Sequence, residues 1–270
     1  MKHIVCIIIL FFSWGSCAQQ SEKNAIELSQ LRLGVALGFG TITNPLNDGD
    51  NFPLIVIPDV AYYGERVYFD NGQLGFTLSE HNRHVFNLIS EFNPENRFFV
   101  TWHPANVFIA RNAFTEPANS ERISISEINS PKWALDGGVN YQYIADTWRF
   151  SASALHDISN VHKGQRVALS LSKGWQTQSG LLSVRLGLDY LSHKLADYYY
   201  GIQADDQVGI TFLQNAAWLP HVELSWHRQI NQHFGLLAKV KYHYYGSLSD
   251  SPLFSSNQSV TVFTGVTHVF

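Results

Sequence analysis

Two stretches of the chain place side chains that could do chemistry close together. His156-Asp157-Ile158-Ser159 brings an imidazole, a carboxylate and a hydroxyl into one short segment, the residue types of acyl transfer, and His162 follows in the same loop. A hydrolase working from a strand surface needs base and nucleophile on one face, two residues apart. The three-residue separation of His156 and Ser159 sends them to opposite faces, and no histidine beyond residue 18 is followed by serine at the useful spacing. His156, Asp157 and His162 could also meet a cation, whereas His81 and His84 have the spacing of a helix face in a segment that reads as a turn into a strand. Solvated loop side chains are the simpler account of all of these, and no glycine-rich phosphate loop is present. The expectation is a chain without catalytic residues, metal or cofactor.

A third group is spread along the chain. Asp136, Arg149, Arg185, Asp189, His221, Glu223, His227, Lys239 and Lys241 alternate with apolar or aromatic residues, so each would project from the face opposite the greasy one. Such a row can pair opposite charges across neighbouring strands and fill a small interior. It can equally line a narrow path for a small polar solute. The residues leave both readings open.

The elements that would position this row are strands. Segments 132–143, 148–156, 166–175, 182–190, 218–227, 234–244 and 260–270 each alternate with a two-residue period over the nine to eleven residues that cross an apolar layer. Upstream, 31–40, 55–63, 66–78 and 84–92 read as strands, with Asn71-Gly72 interrupting the third. Because 132–143 must begin outside, one further strand is required, and 97–110 is the candidate. The sum is an all-β, antiparallel, up-and-down transmembrane barrel of about twelve strands, or ten if these doubtful segments resolve otherwise. Connections alternate short (145, 177, 231) and long (157, 193, 247), which puts the short turns in the periplasm and the long loops outside. Aromatic residues cluster at both strand ends as girdles. Lys173 breaks the pattern on the lipid face, so it must snorkel toward headgroups or be turned inward by a bulge.

The ends of the chain agree. Residues 1–18 have a basic start at Lys2, an apolar run of about eleven residues and small residues at Ser16 and Ala18, the layout of a cleaved signal peptide, leaving 19–270 as one barrel domain. Both cysteines, Cys6 and Cys17, fall within that segment, so neither disulfide nor thiol chemistry is expected afterwards. Without Lys2 the charge balance is 17 − 22 = −5, with no basic run, which excludes nucleic acid as a partner. A mean hydropathy of −0.08 is low for a membrane protein, but a barrel averages lipid-facing and lumen-facing residues in any window. Phe270 closes the last alternating segment, as the terminal aromatic read by the barrel-assembly machinery. His268 departs from the apolar residue usual two positions earlier.

Three stretches carry a resemblance: 58–72 (PDVAYYGERVYFDNG) with Leu74-Gly75-Phe76, His156-Asp157-Ile158-Ser159 running to Gly164, and Asp197-Tyr198-Tyr199-Tyr200-Gly201-Ile202. With the leader and Phe270, the chain resembles the MipA/OmpV family of outer-membrane proteins. That resemblance implies a non-enzymatic barrel of the Gram-negative outer membrane, surrounded by its lipids, acting as a scaffold between a lytic transglycosylase and a murein synthase. The alternatives are a narrow channel for small polar solutes or a surface adhesion protein. The family resemblance assigns no residues to the murein partners.

Overall fold

Alternating apolar residues can be satisfied in lipid only if every backbone group is paired, which requires strands to close on themselves. The computed structural model describes residues 30–99, 123–206 and 208–270; the expected signal segment lies outside them. Twelve strands form one closed antiparallel barrel: β1 (Leu31–Ile42), β2 (Phe52–Tyr63), β3 (Val67–Asp70), β4 (Gln73–His81), β5 (His84–Phe92), β6 (Leu135–Ile144), β7 (Trp148–Asp157), β8 (Gln165–Thr177), β9 (Gly180–Leu191), β10 (Ala217–Gln229), β11 (Phe234–Tyr244) and β12 (Gln258–Val269). One short helix among the described residues, α1 (His193–Tyr200), stands between β9 and β10. Closure comes from β12 returning to β1 in register from Gly34↔Val269 to Ile42↔Thr261, and the Phe270 N–H donates to the Leu33 carbonyl at 2.9 Å.

The period of two decides which residues face lipid. Leu186 is 54 % and Val240 45 % exposed on the outer wall, while Asp136, on the inward face, is 1 % exposed. Trp148, Trp175 and Phe234 stand outward at the short-turn end, and Trp218 packs on Tyr190 at 4.9 Å near the other. Lys173 does face outward. No bulge occurs there, because β7 and β8 stay in register with Trp148↔Lys173, and the ammonium lies 4.4 Å from the Trp148 ring centre and 5.2 Å from that of Trp175.

The strand count of twelve is reached by a route different from the expected one. Asn71-Gly72 is a true hairpin turn, with φ of 47° and 97°, so 66–78 divides into β3 and β4. Among the described residues no strand stands between 84–92 and 132–143, where 97–110 was expected to supply one. β5 pairs directly with β6 from His84↔Tyr143 to Phe92↔Leu135, leaving no place for one. Arg97 and Phe98 belong to a 3₁₀ turn, Pro94–Phe98, whose proline and Asn93 cap start a helical turn instead; residues 100–110 lie outside the described residues.

The buried apolar cluster sits at the long-loop end. α1, the Pro94–Phe98 turn and the loops after β1 and β11 bring Leu46, Phe98, Leu195, Tyr200, Leu248 and Leu253 to 2 % exposure or less, packed on the inward residues Leu54 and Phe263. Burying side chains of this size contributes roughly 1.5–3 kcal/mol each. Two of its polar groups are tied internally: the Tyr200 hydroxyl donates to the Glu95 carboxylate, and the Ser251 hydroxyl donates to the Tyr200 carbonyl at 2.7 Å. Burial, then the Glu95 charge, pushes the Tyr200 phenol well above its usual pKa, so it remains a donor.

Candidate functional site

Below this plug the lumen is a cavity of about 1550 Å³ that opens at the short-turn end. Leu54, Phe263 and Arg97 line its inner part; Gln30, Gln176, Gln178, Gln229 and Gln232 lie around its mouth. Burial works against the Arg97 charge, but the Tyr245 and Glu95 oxygens more than offset it and hold its pKa above the ordinary value.

The expected inward row divides into two groups. Strands β9 to β11 bring Arg185, Asp189, His221, Glu223, Lys239 and Lys241 together, because Glu223 is in register with Arg185 on one side and Lys241 on the other. Lys239 reaches diagonally to Glu223 at 2.9 Å, and His221 Nδ1 stands 3.3 Å from Asp189 Oδ2. His227 continues the row toward the mouth of the cavity. Arg149 joins Arg185 and Glu223 around a smaller cavity of about 410 Å³. Asp136 is separate, at the outer end of β6.

There Asp136 belongs to a network of mostly unforeseen partners. Arg166 ion-pairs with Glu91, and its Nε lies 3.9 Å from Asp136 Oδ2. Asn93 donates to Asp136 at 2.7 Å. The Gly164 N–H donates to His162 Nδ1 at 3.0 Å, so this ring carries its proton on Nε2 and donates it to Asp136 Oδ1, also at 3.0 Å. Asp157 accepts from the Ser159 N–H, the Ser159 hydroxyl and the Lys163 N–H at 2.7–2.8 Å. The His156–Gly164 stretch is therefore a loop clamp: Ser159 is committed to Asp157, and His156 is exposed on the far face.

Inward parity could have nominated Glu91, Arg166 and His243, each on the polar side of its strand. Nothing local could have nominated Arg97, which enters the lumen from a loop. The other two distinctive stretches also have structural duties. Asn71 takes the place of a strand partner, accepting the Val60 N–H on its side chain at 3.0 Å and donating its own N–H to the Val60 carbonyl at 2.9 Å. Arg32 pairs with Asp59 at 2.9 Å beside it. Residues 197–202 build the plug, where Asp197 Oδ1 accepts the Gln214 N–H at 2.9 Å.

A family model described as MltA-interacting protein MipA matches residues 33–270. Outer membrane protein YiaT of Escherichia coli O157:H7 is 26 % identical over 218 residues, covering 79 % of this chain and 81 % of the relative; its counterpart in strain K12 is 25 % identical over the same shares. Among solved structures, an outer membrane channel from Pseudomonas putida F1 aligns with a TM-score of 0.44 at 11 % identity, covering 94 % of this chain and all of the other.

Proposed function

Because the chain belongs to the MipA family of MltA-interacting proteins, and so is an outer-membrane β-barrel, we propose that it serves as a non-catalytic docking platform for murein-processing enzymes on the periplasmic side. The observation that carries this reading is the polarity of the molecule along its axis. Buried aromatic and aliphatic side chains fill the long-loop end, whereas the cavity opens at the short turns, beside the start of β1 and the end of β12. Five glutamines lie along one side of that mouth, uncharged donors and acceptors suited to a protein backbone, with Arg32, Asp59 and Arg228 beside them. With turns this short, a lytic transglycosylase or murein synthase would rest on the rim and on the segment preceding β1. The Ser159 hydroxyl, held by Asp157, supports a role without acyl chemistry.

A photo-crosslinking residue placed at Gln178 or Gln232 in intact cells should yield adducts with a murein enzyme identifiable by mass spectrometry. The same residue at Ser249, on the outer side, should yield none. A folded barrel that gives no such adduct from either rim position would remove the docking role. The charged pairs around Glu223 favour one second reading, a narrow solute path, which electrical measurement separates from docking.

A further inference from the structure

One inward group takes no part in the charge pairing. His243 on β11 is 6 % exposed, and neither ring nitrogen has a hydrogen-bond partner. A buried polar atom without a partner forfeits its hydration with nothing in return, so a natural wall rarely keeps two of them idle. Directly across the β10–β11 register stands His221, the two rings 5.3 Å apart. His221 Nδ1, at 3.3 Å from Asp189 Oδ2, is near enough for charge attraction yet lacks hydrogen-bond alignment. One donor atom from each of Asp189, His221 and His243 falls within 4.8 Å of the other two.

The surroundings hold this triad in place. Gly187 is in register with His221 on β9, and a Cβ there would fall 2.0 Å from His221 Nε2, so only glycine lets the imidazole lie against the wall beside Asp189. Tyr245 stacks on His243 at 4.8 Å and 15° between planes, fixing its ring. The other histidine and carboxylate cluster, Asp136, Asp157 and His162, contrasts with this one. There both imidazole nitrogens and both Asp157 oxygens are already engaged.

We propose that Asp189, His221 and His243 bind one divalent transition-metal ion of the zinc, copper or nickel kind, with water completing its shell. Two imidazole nitrogens and one carboxylate oxygen form a borderline ligand set; calcium and magnesium require more oxygens than are present. Donors around tetrahedral zinc at about 2.0–2.1 Å stand about 3.3–3.4 Å apart, so small side-chain rotations close the set. Lys241 and Arg97 lie within electrostatic reach of His243 and work against any bound cation, so ligation by the two imidazoles and Asp189 must outweigh their charge.

The full chain, purified in detergent and stripped by chelator, is titrated with Co²⁺, whose visible absorption reports nitrogen and oxygen ligation, and then with Zn²⁺ as competitor. One equivalent is expected, with Zn²⁺ displacing Co²⁺. His221→Gln and His243→Gln should each weaken binding at least tenfold. Gly187→Ala keeps every ligand yet should weaken it too, and His233→Gln at the rim should leave it unchanged. Heat-dependent gel mobility identifies the folded variants, and Asp189→Asn provides the same reading should one histidine variant fail to fold. Folded wild-type protein that takes up no stoichiometric metal, or that binds it equally well after both histidine changes, overturns the site without touching the docking role.

Discussion

Lys173 shows how a residue that violates the pattern can still belong to it. A lysine on the lipid face costs about 2–4 kcal/mol at the bilayer midplane and little near the interface, and here two tryptophan faces receive the ammonium at the inner girdle. Lys173→Ala should therefore change stability by less than about 1 kcal/mol. The same charge moved up the strand, as Leu169→Lys, should cost about 2–4 kcal/mol. Urea unfolding in phospholipid vesicles measures both, and equal costs would contradict the girdle assignment. The outward direction of Lys173 could be read from parity alone, but its capture by Trp148 could not. That contact depends on the β7–β8 register, which brings together residues 25 apart in the chain.

At the scale of elements, the hairpin at Asn71-Gly72 determines how twelve strands arise. β3 has four residues and meets β2 at only three positions, so most of the β2 edge on that side lacks a strand partner among the described residues. Asn71 finishes the edge at Val60 with its side chain. Pro58, two residues earlier and therefore facing the same way, has no N–H to leave unpaired. Asn71→Ala would lose these bonds and force alanine to a positive φ, costing about 1–3 kcal/mol in all. Asn71→Gly, free of the backbone strain, should cost less. Amide exchange at Val60 and the unfolding midpoint would report both, and an unchanged Val60 would show that the side chain is not the edge partner. The Asn-Gly signal was visible in the sequence. The strand expected at 97–110 was inferred only because 132–143 had to begin on the outer side, a requirement the hairpin had already met.

The whole molecule is asymmetric along its axis, and this asymmetry predicts its electrical behaviour. With Tyr200, Leu248 and their neighbours filling the outer end, purified protein in a planar bilayer should show no steady openings. Replacing Tyr200 and Leu248 together by alanine removes packing worth about 3–5 and 2–5 kcal/mol and should produce conductance steps. Steady openings in the wild type that shift when Lys239 and Lys241 are neutralised would instead establish a solute path. The sequence alone determined the class of fold, the lipid and lumen faces and the family, because strand alternation and turn chemistry are local properties with fixed periods. It could not show that the outer end is filled. The plug is built from loops, whose residues carry no period and acquire meaning only when the barrel brings residues 46, 98, 200 and 253 together. The same holds for Asp189, His221 and His243. They stand on three strands, and only the register between those strands makes them neighbours.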